Sequence, residues 1–158
     1  MALIIDRTPV IEDRWQWPTD DQPLPETGPV VLPLARWLEQ ADALATRETG
    51  VKVNGDDDLE QILALKDRVS LYAVEFPAFT DGRGFSIARL LRRAGFAGEI
   101  RAIGDVTRDR LVHMERSGFN ALQIPDERYS PEVLSAFDEV SVHYQGGATL
   151  ARPGFRQS

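Results

Sequence analysis

The run Val69-Ser70-Leu71-Tyr72-Ala73-Val74-Glu75-Phe76, continued by Pro77-Ala78-Phe79-Thr80-Asp81-Gly82-Arg83-Gly84-Phe85-Ser86-Ile87-Ala88-Arg89-Leu90-Leu91-Arg92-Arg93-Ala94, decides the fold. Its first part is the most strand-like stretch of the chain, rich in β-branched and aromatic residues. A polar turn with spaced glycines follows. The remainder places Ile87, Leu90, Leu91 and Ala94 at i, i+3, i+4 and i+7, the stripe of an amphipathic helix. A buried strand that breaks into such a helix is half of a βαβ unit, and in α/β folds the turn between the two is where ligands bind.

The alternation recurs on both sides. Upstream, Val30 to Leu32 reads as a short strand, followed by a helix with Pro33 near its first turn and Leu34, Trp37, Leu38, Ala41 and Ala45 inward. Val51 to Val53 is the next strand. Asn54-Gly55-Asp56 turns it into a helix with Leu59, Ile62 and Leu63 buried, and Asp57 stands at capping-box spacing from Glu60. Downstream, Glu99 to Ile103 is a strand, Thr107 can cap the next helix and Gly118 can end it. Asn120 to Ile124 is the last strand, and Ser130-Pro131 starts a helix with Val133, Phe137, Val140 and Tyr144 inward. At the start, Ala2 to Ile5 and Pro9 to Ile11 flank Asp6-Arg7-Thr8 as a hairpin or edge ribbon.

The fold class is therefore α/β, a mainly parallel sheet of about five strands with crossover helices. Periodicity leaves open an open doubly wound sheet or a partial βα barrel. The chain, residues 1–158, reads as a single α/β domain. Within it, 12–28 is a polar loop with Trp15, Trp17, three prolines and five acids, and 146–158 is a flexible tail.

Composition narrows function mainly by exclusion. The formal net charge of -7 argues against nucleic-acid binding, which draws its affinity from Lys and Arg. Apolar runs such as Ala2 to Ile5 fall far short of the ~20 residues of a membrane span, and no basic region precedes a signal-like core, so a cytoplasmic location is expected. Without cysteine, this chain supplies no disulfide, thiolate nucleophile or Cys-ligated iron–sulfur cluster. The two histidines, His113 and His143, are too few for a multi-His metal centre; both read as solvated or helix-end residues. No metal site is expected, and the sequence names no cofactor. The sixteen Arg against two Lys suit anion recognition or a composition bias equally. Position is more telling, because residues 83–116 carry +4 and the rest of the chain -11.

In a parallel sheet the loops after the strands share one edge. Here that edge carries Asn54, Asp56, Thr80, Asp81, Gly82, Arg83, Gly104, Asp105 and Asp126. Asp81 and Asp105 are candidate general bases or magnesium ligands, with Arg83 clamping an anion. Each Asp also suits a helix cap, the favoured reading for all four and most strongly for Asp56 and Asp126. Gly82 and Gly84 weaken a helix start by about 1 kcal/mol each while letting backbone amides approach an anion. A dinucleotide fingerprint would need a third glycine where Ile87 stands, and there is no phosphate-loop Gly-Lys-Ser/Thr. Arg89, Arg92 and Arg93 fall opposite the apolar stripe. Phe85 falls on that polar side too, either as part of a contact surface or covered by the Trp-containing N-terminal segment. Thr80 to Ser86, with Arg89 and Asp105, form the candidate anion- or partner-binding set.

The motif Phe76-Pro77-x-Phe79-Thr80-Asp81-Gly82-Arg83-Gly84-Phe85-Ser86-x-Ala88-Arg89-Leu90-Leu91-Arg92, with Gly98-Glu99-x-Arg101-Ala102-x-Gly104-Asp105-Val106 and Gly118-Phe119, resembles the DUF934 family of proteobacterial proteins. Members are encoded beside sulfite reductase and commonly labelled oxidoreductases of sulfite reduction. Phe85 stands where the family pattern has Tyr, and Ser117 where Cys is frequent. The resemblance implies a role in assimilatory sulfate reduction and cysteine biosynthesis, with sulfite reductase or another sulfate-assimilation protein as partner. Six-electron sulfite reduction needs redox centres that a Cys-free chain cannot bind through thiolates. An accessory protein acting by binding is therefore expected. The alternative is a small-molecule enzyme or oxidoreductase that uses an anionic sulfur metabolite or a nucleotide cofactor at the strand edge.

Overall fold

The computed structural model describes residues 2–19, 21–76, 82–107 and 110–125. The expected Ser130 helix, the 146–158 tail, Thr80, Asp81, Asp126 and His143 lie outside them.

Strands β1 (Ala2–Ile5) and β2 (Thr8–Val10) form a hairpin, with β2 one residue earlier than the expected Pro9 to Ile11, joined by Asp6 and Arg7 with φ of 51° and 67°. Two positive φ values give a two-residue turn whose twist matches that of the strands. Arg7 is held there by Glu115, which accepts from Nε at 2.8 Å and Nη2 at 2.7 Å. Then come β3 (Val30–Pro33), α1 (Leu34–Glu39), β4 (Thr49–Val53), α2 (Leu59–Ala64), β5 (Leu71–Phe76), α3 (Arg83–Arg93), β6 (Glu99–Gly104), α4 (Leu111–Ser117) and β7 (Ala121–Ile124).

All seven strands belong to one sheet, in the order β2-β1-β7-β6-β5-β4-β3. The sheet thus has seven strands rather than about five, because the hairpin joins it through antiparallel pairing of β1 with β7. From β3 to β7 the pairing is parallel and the order sequential. A doubly wound sheet reverses its order at a switch point. This one does not, and successive βα units are laid down side by side as in a segment of a βα barrel.

Strand alternation assigns the two faces. On one, Val30, Leu32, Val51, Val53, Tyr72, Val74, Phe76, Ile100, Ala102 and Leu122 join a single core with Trp37, Ile62, Ile87, Leu91, Leu111 and Met114 from the helices. On the other, Val31, Leu71, Ala73 and Ile103 are covered by Trp15, with Trp17 packed alongside. The polar 12–28 loop is therefore also packed on the sheet through Trp15 and Trp17. Gln16 donates its backbone N–H to the Pro29 carbonyl and accepts that of Val31, which pairs the segment with β3, and Arg36 and Arg47 reach into it.

The helices differ from expectation in phase and length. α1 ends at Glu39, so its spacing does not continue: Leu38 is 40% exposed, and Leu44 rather than Ala45 is buried. In α2 the inward residue is Ile62, while Leu59 is 36% exposed at the first turn. In α3 the buried residues are Gly84, Phe85, Ile87, Ala88 and Leu91; Ala94 is exposed and Leu90 only partly covered. α3 lies between β5 and α4, and that placement turns residues 84, 85 and 88 inward. At α4, Arg110 rather than Thr107 holds the N-cap position, and Gly118 ends the helix as expected.

Candidate functional site

Three loops meet the carboxyl edge of the sheet. After β4, Asp57 Oδ2 accepts the Asn54 N–H at 2.9 Å and Asn54 Oδ1 accepts the Asp56 N–H at 2.8 Å, folding the turn back on itself. Asp58 is the N-cap of α2, accepting the Glu60 N–H at 3.2 Å. The capping-box assignment to Asp57 is therefore one residue early, and Asp56 does not cap the helix. Instead Arg83 Nη1 donates to Asp56 Oδ1 at 2.8 Å and to the Gly55 carbonyl at 3.1 Å. Both side chains stand largely in solvent, 57% exposed for Arg83 and 83% for Asp56.

The second loop opens α3, and here the two glycines separate in meaning. A Cβ on Gly84 would lie 2.6 Å from Phe76 Cε1, whereas one on Gly82 would meet nothing within 4 Å. Gly84 is thus required by helix-to-strand packing. Phe85 follows it inward at 7% exposure, its ring 5.0 Å from Phe76 and 4.2 Å from His113. It neither faces the polar side nor is covered by the Trp-containing segment. Phe119 completes the group 5.7 Å from Phe76, and His113 is exposed apart from this contact. Ser86 and Arg89 are exposed, with Arg89 Nη1 at 3.3 Å from Ser117 Oγ. Arg92 is not on a solvated face. It donates to the carbonyls of Gly118, Phe96 and Gly98 at 2.9, 3.0 and 2.8 Å, and burial lowers its pKa. It fastens the ends of α3 and α4 together.

At the third loop Gly104 has φ +84°, and a Cβ there would fall on the Phe76 carbonyl, so only glycine fits. Asp105 donates its N–H to that same carbonyl at 2.9 Å. Its carboxylate, 12% exposed, faces Arg110 Nη2 at 3.8 Å. The structure thus brings Arg83 to Asp56 and Asp105 to Arg110. No group of three His, Asp or Glu poised for a metal occurs among the described residues.

One charged centre escaped the sequence reading. Arg101, 1% exposed on central strand β6, points to the sheet face away from the helices. Glu99 accepts from it at 2.8 Å, Asp13 at 2.9 and 3.2 Å, and Gln123 at 3.1 Å, while the Trp17 ring lies 5.5 Å from its guanidinium carbon. Asp13 also accepts from Trp17 Nε1 at 2.8 Å. Burial alone would raise the Asp13 carboxyl, but hydrogen bonds from Arg101 and Trp17, with the Arg101 charge, outweigh it and hold the pKa below its ordinary value. The available signal was Glu99, Arg101 and Ile103 alternating on one face of a central strand, where an arginine needs partners.

A family model described as a bacterial protein of unknown function, DUF934, matches residues 50–155. The chain belongs to the DUF934 family. In this DUF934 protein the match begins within β4 and takes in β5 to β7, α3 and the strand-edge loops, while the hairpin, the 12–28 segment and β3 precede it. No protein of curated function matches the chain.

Proposed function

We propose that this DUF934 protein is an accessory protein of assimilatory sulfate and sulfite reduction that docks on a component of the sulfite reductase machinery. The docking surface is the carboxyl edge of the sheet with the exposed side of α3. The observation that carries a binding role is the Asp56–Arg83 pair: its charges meet each other at the surface, 83% and 57% exposed, as in the polar rim of a protein contact. Arg89 and Arg93 extend the patch along α3. The pathway comes from the DUF934 resemblance of the Phe76 to Asp105 motif.

Copurification from cells expressing tagged protein at native level should capture a sulfite-assimilation component, and a deletion strain should grow poorly on sulfate but normally on cysteine. No such capture together with normal growth on sulfate would refute the proposal.

One observation favours the second reading, an enzyme of an anionic sulfur metabolite or a nucleotide cofactor. Asp105 is a sheltered carboxylate at the end of a parallel strand, a position suited to ligand contact. That reading requires thermal stabilisation by sulfite, sulfate nucleotides, flavins or nicotinamides, lost in Asp105→Asn. A yellow purified protein would favour it over docking.

A further inference from the structure

The proposed docking surface does not use the 12–28 segment, which is built to hold a shape. Arg36 donates to the carbonyls of Thr19 and Gln22 at 2.8 and 2.6 Å, and Arg47 to those of Pro25 and Gly28, both at 2.6 Å. Arg14 pairs bidentately with Glu48 at 2.7 and 2.8 Å, and Asp13 is fixed by Arg101. Between these anchors Gln16, Trp17, Pro18, Gln22, Pro23 and Pro25 line an open groove of about 370 Å³. Three prolines set its walls with fixed φ, so little conformational freedom remains to be lost on binding.

We propose that this groove is a docking site for an extended, arginine- or lysine-bearing segment of a partner protein. Charge selects the partner. Residues 12–28 carry five acids and Arg14; with Arg36, Arg47 and Arg101 reaching in and Glu48 and Glu99 beside them, seven acids still face four arginines, and Glu12, Asp21 and Glu26 are exposed. Such a field repels nucleic acid and free anions and attracts a cationic chain. Trp17 supplies the apolar contact. Its N–H is committed to Asp13 and one side of its ring lies toward Arg101, so the half-buried indole is held in one orientation at the groove wall. An indole is the best aromatic acceptor for a guanidinium or ammonium, and prolines beside an aromatic suit an extended backbone. The groove is open, which fits a chain lying along it rather than an enclosed small molecule.

The test is calorimetric titration of the full chain with a ten-residue peptide of alternating Arg and Pro, and with its Glu-Pro counterpart. Saturable binding of the Arg-Pro peptide alone is expected, weakening as salt rises. Trp17→Ala should weaken it by ~10-fold and Trp17→Phe by less, in keeping with an aromatic contact to a cation. Because Trp17→Ala can also loosen the segment, a second variant carries Asp21→Asn with Glu26→Gln, both exposed positions. It should weaken binding several-fold with an unchanged melting temperature. Equal binding of the two peptides, no binding at about 1 mM, or wild-type affinity in the charge variant would each overturn the proposal. So would sedimentation showing a dimer that the Asp21→Asn, Glu26→Gln variant dissociates, which would give the groove to a second copy.

Discussion

Gly84→Ala, set beside Gly82→Ala, tests what the paired glycines do. Inside a helix alanine is favoured over glycine by about 1 kcal/mol, so propensity alone makes Gly84→Ala more stable, whereas Gly82 is the N-cap of α3 and its replacement gains only from the reduced freedom of the unfolded chain. Gly82 has ordinary φ of -72° and open space around it, and its replacement should stabilise by ~0.4–1 kcal/mol. At Gly84 the new methyl would meet Phe76 Cε1 at 2.6 Å and Cζ at 2.8 Å. Phe76 cannot yield easily: it is 2% exposed and wedged between Phe85 and Phe119. Overpacking of this kind costs ~1–3 kcal/mol, which outweighs the propensity gain and leaves a net loss of ~1 kcal/mol. The two variants should therefore move in opposite directions and differ by roughly 2 kcal/mol, or ~4–8 °C in melting temperature for a domain of this size. Urea unfolding followed by circular dichroism, with an unchanged m-value, provides the measurement. If both variants are stabilised alike, Gly84 does not serve packing and the anion-loop reading of the turn returns.

Three further outcomes follow from the same geometry. Gly104→Ala must hold a methyl at φ +84° against the Phe76 carbonyl and should cost more than ~2 kcal/mol by the same unfolding assay; a loss under ~0.5 kcal/mol would show that the turn relaxes freely. Arg101→Met leaves Glu99 and Asp13 facing each other without their cation, at an expected cost of ~3 kcal/mol after allowance for the 27% exposure of Asp13; a stable variant with unchanged tryptophan emission would show that Trp17 does not depend on the pair. The Asp13 pKa is lowered on folding, so its contribution is present above the ordinary value of 3.8 and lost as pH falls through the folded pKa. Wild type should therefore lose stability more steeply than Asp13→Asn below about pH 4, and parallel curves would remove Asp13 from the account.

Local signals made the parallel core legible. Runs such as Leu71–Phe76 and Glu99–Gly104 have the composition of buried strands, and each is followed by turn residues and a helical period, so the βα units could be counted from Val30 onward. The hairpin at Asp6 and Arg7 was legible for the same reason, but its pairing with β7 was not, because that contact joins the chain's beginning to residues 121–124. Phe85 shows how a helical wheel fails. Spacing puts Leu90 and Ala94 into the stripe, although the neighbouring Phe76 and α4 set the true phase. Arg92 fails on the same wheel: its place opposite the stripe points to solvent, yet three carbonyls left by the ends of α3 and α4 and by Gly98 offer it partners indoors. At the strand edge spacing puts Asp56 and Arg83 on neighbouring loops but does not show that they pair across 27 residues.

Arg101 joins the family-matched part of the chain to the part before it. The match begins at residue 50, yet the sheet face carrying Arg101, Leu71, Ala73 and Ile103 is closed by Trp15 and Asp13. A tryptophan buries roughly 150–250 Å². At about 25 cal/mol per Å² this gives ~4–6 kcal/mol for Trp15, an upper bound because the unfolded chain already hides some of that surface. Against a typical domain stability of ~5–15 kcal/mol, one side chain from the preceding segment is a substantial share. The cover also supplies a carboxylate without which Arg101, 1% exposed, would keep only Glu99 and Gln123 of these partners. Residues 12–28 thus belong to the same folding unit as the matched region. Their acidic surface is tied to the sheet through Asp13, Trp15 and Gln16, which is the support a preorganised docking groove needs.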